Sequence, residues 1–187
     1  MKALFKALGI LTSNELDMLD DILTERSLKK GEYLIEENTV CDEIVFIKSG
    51  ALRSFYINGE GDEITNCITF ENELMSAFSS FVTKKSTDEN IQALFDTELE
   101  VLHQDDLERL YFQNSNWQKV GRILAETQYV QLEKRIASFQ KFSGKERYEE
   151  LFRLQPLYIK LIPLQYLASF LGITPRHLSR IRKAVLI

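Results

Sequence analysis

The chain has 187 residues, 44% hydrophobic and 27% charged, with a formal net charge of −5, ordinary usage for one large globular domain or two small ones. Eight Gly and three Pro exclude a collagen-like or long low-complexity architecture, and no apolar run approaches the roughly 18 residues that span a bilayer. Charge is unevenly placed: residues 157–187 hold no Asp or Glu and carry +5 from Lys160, Arg176, Arg180, Arg182 and Lys183, against −10 for the first 156 residues.

At the N-terminus, Lys6 interrupts the apolar run and no small-residue cleavage site follows, so no signal peptide is expected. Thr12 and Glu15 in "TSNE" have capping-box spacing, and Leu16, Leu19, Ile22 and Leu23 recur at helical intervals. A first helix is therefore predicted, closed by the basic and Gly-containing stretch "SLKKGEYL". From about Gly31 to Leu102 the pattern changes to short β-branched and aromatic runs. "EIVFIKSGALRSFYINGEGDEITNCITF" breaks at "SG" and at "NGEGDE", where Asn58-Gly59 is a hairpin signal. "NIQALF" and "ELEVLH" supply further strands, with a short helix expected in "NELMSAFSSF". Such spacing predicts an antiparallel sandwich or roll.

Helical periodicity takes over near Asp105. "QDDLERLYFQ" predicts a short helix, and the next segment predicts a long one over 115–142. That helix has two apolar stripes: Val120, Ile123, Leu124, Thr127 and Val130 on one side, and Tyr129, Leu132, Ile136 and Phe139 on another. One stripe suffices for packing on the helix's own domain, so the stripe from Val120 to Val130 is assigned to a twin helix in a homodimer, burial within a single globule being the alternative. "SGKERYEELFRL" gives a further amphipathic helix with Ser143 as its cap, ended by Pro156. The fold class is α+β, with a β-rich domain over 1–114, the long helix over 115–142 and a helical domain over 143–187.

The terminal stretch "LQYLASFLGITPRHLSRIRK" has the steric signature of a helix-turn-helix. Ala168 is the small residue where two helices cross, and Gly172 is placed where the turn needs positive φ. Leu167, Leu171, Ile173, Leu178 and Ile181 hold the apolar offsets, while Thr174 and Pro175 start the second helix. With the apolar positions inward, Arg176, His177, Ser179, Arg180 and Lys183 face out, toward where a major groove would lie. Arg176 and Arg180 suit guanine edges or phosphates, Thr174, His177 and Ser179 can bond phosphate or base edges, and Arg182 and Lys183 are assigned to phosphate neutralisation.

This arrangement resembles the cyclic AMP receptor protein and fumarate-nitrate regulator (Crp/Fnr) family. The likeness rests on "GE-x-L" at residues 31–34, "SG-x-LR" at residues 49–53, "FENELMSAF" in the place of the phosphate-binding cassette, and the terminal motif, where Arg180 stands at a position that commonly contacts a base. The resemblance implies a cyclic-nucleotide-binding-like β-roll, a dimer helix and a DNA-binding end. It puts the ligand pocket at Asn72, Glu73 and Leu74, with Asp88 and Glu89 near the place of the family's phosphate-binding arginine.

Several features depart from the family pattern. Asn72 replaces the cassette glycine, no arginine follows in "KKSTDENIQALF", and Lys84 and Lys85 come too early to substitute. Carboxylates beside a phosphate repel it, so cyclic AMP and cyclic GMP are not the expected ligands, and Glu73 reads as a turn residue kept for the fold. No cofactor is expected, and the effector remains unidentified. An iron–sulfur sensor needs four thiolates where this chain has Cys41 and Cys67, read as free thiols in a reducing cytoplasm. Haem or a cupin-type metal enzyme would need more ligands than His103, the single histidine of the β region. Only "AVLI" follows Lys183, so the family's β-hairpin wing is expected to be missing.

The expected partners are double-stranded DNA with a palindromic operator, a second copy of the chain and, through the resemblance, RNA polymerase. No membrane and no enzymatic activity are expected. The competing reading is a protein-interaction module whose helical hairpin is inactive toward DNA, with Val185, Leu186 and Ile187 exposed.

Overall fold

The computed structural model describes residues 1–185, with the side chains of residues 157, 158 and 185 outside that description. Two short helices open the chain, α1 (Lys2–Ala7) and α2 (Ser13–Asp17). The capping box forms as expected: the Thr12 hydroxyl accepts from Glu15 N–H, and the Glu15 carboxylate accepts from Thr12 N–H at 2.7 Å. The helix does not continue through Leu23, however. A 3₁₀ turn, Met18–Asp21, ends it, and β1 (Thr24–Leu28) follows. Charged Glu25 and Arg26 hide the strand's alternation in sequence, because β1 lies at the edge of its sheet with much of its length exposed.

The remaining strands are β2 (Tyr33–Ile35), β3 (Glu43–Ser49), β4 (Ala51–Ile57), β5 (Glu63–Phe70), β6 (Leu74–Met75), β7 (Asn90–Ala93) and β8 (Thr97–His103). They form two four-stranded sheets, ordered β1-β8-β3-β6 and β2-β7-β4-β5. Val45, Ile47, Leu99 and Val101 from the first sheet share one buried cluster with Leu52, Ile91 and Ala93 from the second. The roll is thus two layers around an aliphatic core, as the strand spacing predicted.

Two local expectations shift. The hairpin between β4 and β5 forms, but its turn spans residues 58–62, with the positive φ at Gly61 and not at Asn58-Gly59. The Asn58 side chain organises it by accepting from the N–H groups of Glu60 and Asp62. The helix expected in "NELMSAFSSF" begins later, as α3 (Phe78–Thr83), because Leu74 and Met75 pair with Phe46 and Val45 of β3.

α4 (Gln104–Gln113) and the 27-residue α5 (Ser115–Lys141) follow. Trp117 is fully buried in a second cluster with Phe5, Leu16, Leu19, Leu107 and Leu110, and its ring meets Phe5 edge-on at 5.6 Å. Val120 belongs to the same cluster and Leu124 packs on it. This corrects the assignment of Val120 to a partner helix, since its surface is already spent in the chain's own core. Among the described residues of α5, Tyr129, Val130, Leu132 and Ile136 stay exposed.

The helical end comprises α6 (Gly144–Leu154), α7 (Pro156–Leu161), α8 (Leu164–Phe170) and α9 (Pro175–Val185). Ser143 and Glu146 make the capping box that starts α6. Pro156 both follows the end of α6 and occupies the first position of α7, a helix that the sequence pattern did not reveal. By packing, the chain separates into two units: Met1–Ser54 with Ile68–Thr127, and Phe55–Cys67 with the chain from Gln128 onward.

Candidate nucleic-acid interface

The second unit contains the helix-turn-helix. Leu167, Ala168 and Leu178 have no solvent exposure, and Leu171 and Ile181 are nearly as deep. The turn between the two helices follows a Schellman pattern: Ile173 N–H donates to the Ala168 carbonyl and Gly172 N–H to the Ser169 carbonyl. Gly172 adopts φ +65°, and a Cβ there would lie 2.6 Å from Cε1 of Phe139. The position therefore excludes a side chain on two grounds, backbone conformation and space. Thr174 caps α9, its hydroxyl accepting from His177 N–H at 3.2 Å.

On α9, Arg176, Arg180 and Lys183 are exposed and spaced at i, i+4 and i+7, so they line one face. Thr174 and His177 are also exposed at the N-terminal end, and Ser179 is half-buried at the flank. Arg182 is placed differently from the expectation. Its Nη2 donates to the Ile159 carbonyl of α7 at 3.1 Å, so its guanidinium braces the helical packing and does not stand with the outward cations. Position 182 lies on the far side of the helix from Arg176 and Arg180, which explains the difference. The outward face combines three fixed cations with a helix N-terminus, a surface that attracts phosphate and can present forked donors to base edges.

The support of this unit was not visible in the sequence. Arg147 of α6 donates from Nε and Nη2 to the Leu171 carbonyl at 3.0 and 2.8 Å, and its guanidinium lies 4.7 Å from the Phe139 ring centroid. Arg135 of α5 donates to the Phe170 carbonyl at 3.1 Å and covers the rings of Phe139 and Phe170. Both arginines look like surface charges in a linear reading, because their partners are backbone carbonyls more than twenty residues away.

In the roll, Asn72 and Glu73 lie in the turn before β6, while Asp88 and Glu89 lie apart, just before β7. Asn72 has φ +69°, a conformation that Asn tolerates where the family has Gly, and its N–H donates to the Ile47 carbonyl. Glu73 is open to solvent as a residue, yet its carboxylate folds back to accept from Phe70 N–H at 3.1 Å. Partial desolvation raises the Glu73 carboxyl pKa, and the Phe70 bond opposes that rise. Leu74 lies in β6 against Phe46. Asp88 is exposed, and Glu89 N–H donates to the Thr87 hydroxyl. These contacts fix the turn geometry of the cassette.

Among the described residues, Asp42, Glu43 and His103 bring three potential metal ligands within 4.8 Å of one another. Glu43 is already bound by both guanidinium nitrogens of Arg26, at 2.6 and 2.8 Å, so a fixed cation occupies that carboxylate. Val185's side chain, Leu186 and Ile187, named for the interaction-module reading, lie outside the described residues. No helix among the described residues is long and apolar enough to cross a membrane.

Residues 25–114 match the family described as "Cyclic nucleotide-binding domain". Among curated proteins, the chain is 24% identical over 105 residues to the Anaerobic regulatory protein of Bacillus subtilis, covering 56% of this chain and 44% of that one. It is 33% identical over 66 residues to the Transcriptional activator protein Anr of Pseudomonas protegens, covering 35% of this chain and 27% of that one. The chain thus spans less than half the length of these relatives. In fold it is similar to FixK2 of Bradyrhizobium japonicum, with TM-score 0.76, 15% identity and coverage of 88% and 84% of the two chains. A transcriptional regulator of the crp/fnr family from Eubacterium rectale gives TM-score 0.72 at 20% identity, covering 97% of this chain and 87% of that one.

Proposed function

We propose that the chain is a member of the Crp/Fnr family and a DNA-binding transcription regulator acting as a homodimer on a palindromic operator, a reading supported by the matched cyclic nucleotide-binding domain and the similar regulators. The observation that carries this reading is the Arg176, Arg180 and Lys183 face on a capped, tightly packed helix-turn-helix. Arg180 reads a base edge, while Arg176 and Lys183 engage phosphates together with the N-terminal end of α9. Dimer formation is supported by the apolar surface left exposed on α5, Val130 on the stripe assigned to the twin helix and Tyr129, Leu132 and Ile136 on the other. Ile123, Thr127 and Val130 remain the proposed seam, without Val120 and Leu124, which pack in the chain's own core. Two copies would then present their α9 helices to half-sites about 34 Å apart.

The roll acts as the input end, gated by a small ligand other than cyclic AMP or cyclic GMP. The Glu73 contact with Phe70 supports this, since the family glutamate serves its own turn. The protein works in the cytoplasm, has no catalytic role, and meets RNA polymerase when bound to its operator. Selection of genomic DNA fragments by the full chain, with and without cell metabolites, tests the reading. Recovered fragments should share a two-fold symmetric sequence. Recovery no better than that of scrambled duplex would overturn it.

A further inference from the structure

Three consecutive residues at the end of α8 are held by three different elements. The Phe170 carbonyl accepts from Arg135 of α5 and the Leu171 carbonyl from Arg147 of α6, while Ser169 is bonded to β5. β5 is the outer strand of its sheet, so one side of it carries backbone groups that need partners. The Ser169 hydroxyl serves one of each kind. It accepts from Thr65 N–H at 2.8 Å and donates to the Glu63 carbonyl at 3.2 Å. A single hydroxyl can do both, and here it replaces one rung of strand pairing.

The three attachments differ in strength. Those of Arg135 and Arg147 are charge-assisted and backed by aromatic rings. Ser169 makes neutral hydrogen bonds, which are weaker, so this attachment is the first to break. The segment it grips also carries Glu60 and Asp62, in the hairpin turn before β5. Carboxylates tethered to the unit that must meet phosphates oppose the approach of DNA within about a Debye length, roughly 8–10 Å at moderate salt.

The geometry points to Ser169 as a positioning residue: a latch that holds the helix-turn-helix on the β5 edge in a weak-binding arrangement and lets go when the β4–β5 hairpin shifts. This rests on the DNA-binding reading above. The latch would give the β4–β5 hairpin a direct handle on the output helices.

The test uses the full chain with Ser169→Ala. Hydrogen exchange at Thr65, read by mass spectrometry on the surrounding peptide, should accelerate about tenfold or more as its acceptor is lost. Binding to a generic fluorescent duplex should tighten roughly three- to tenfold at low salt, with the gain fading as salt screens the carboxylates. The charge variant Glu60→Gln/Asp62→Asn should show a similar gain while Thr65 stays protected. Unchanged Thr65 exchange in Ser169→Ala overturns the latch, as does faster exchange with equal or weaker duplex binding. A wild type that binds no duplex sinks the DNA-binding reading. One that binds, with Ser169→Ala indistinguishable from it, sinks the latch alone.

Discussion

Replacing Gly172 by Ala probes the geometry on which the whole output end depends. Two costs add at this position. A side chain at φ +65° faces the left-handed penalty of about 1–2 kcal/mol. The new Cβ would also stand 2.6 Å from Cε1 of Phe139, a ring covered by Arg135 and Arg147 with centroid distances of 5.0 and 4.7 Å. Phe139 is 40% exposed, so moving its ring aside falls at the low end of overpacking costs, about 1 kcal/mol. The sum, about 2–3 kcal/mol, should appear as a lower urea midpoint for unfolding. Adding Phe139→Ala removes the steric part and keeps the backbone part, so the double variant should recover most of the second cost relative to Phe139→Ala alone. If Gly172→Ala is as stable as wild type, or if Phe139→Ala gives no relief, the assignment of the turn is wrong.

Leu178→Ala should destabilise the second unit by about 2–5 kcal/mol, because Leu178 is fully buried where α8 and α9 cross, and chemical denaturation reads this directly. Thr174→Ala should cost about 1 kcal/mol by loss of the α9 cap, with faster amide exchange confined to the first turn of α9 as its signature. The Thr12 amide lowers the pKa of the Glu15 carboxyl, so its stabilising effect is complete above the unfolded value of about 4.3 and disappears as pH falls through the lower folded value. The stability gap between wild type and Glu15→Gln should therefore shrink on acidification below about pH 5. A gap that stays constant from neutral to acidic pH would contradict that coupling.

The helix-turn-helix was legible in the sequence because its constraints are local and steric. Ala168, Gly172 and the Thr174-Pro175 start each admit few residue types, and each sits where the packing requires it. Most strands were legible for a similar reason, since β-branched alternation reports a half-buried face. β1 was not, because an edge strand tolerates Glu25 and Arg26 and so loses its alternation. The α5 stripes show the limit of periodicity. It identifies apolar faces but not what covers them, and the Val120 end turned out to be covered by the cluster around Trp117. Arg182 and Arg147 show the same limit for charge. Arg182 was read as a phosphate contact and Arg147 received no role, yet both bond carbonyls distant in sequence. At Glu73 the carboxylate accepts from Phe70 N–H, three residues back, a local contact that the motif does not encode.

The central claim is that α9 reads DNA, with Arg180 at a base and Lys183 at a phosphate. Fluorescence anisotropy titrations of wild type, Arg180→Ala and Lys183→Ala, each against a selected duplex and a scrambled one over a range of salt, test it most directly. Arg180→Ala should lose about 1–3 kcal/mol on the selected duplex and narrow its advantage over the scrambled one. Lys183→Ala should weaken both duplexes alike and reduce the salt slope by roughly 0.9. Equal affinities for all three proteins on both duplexes would contradict the account.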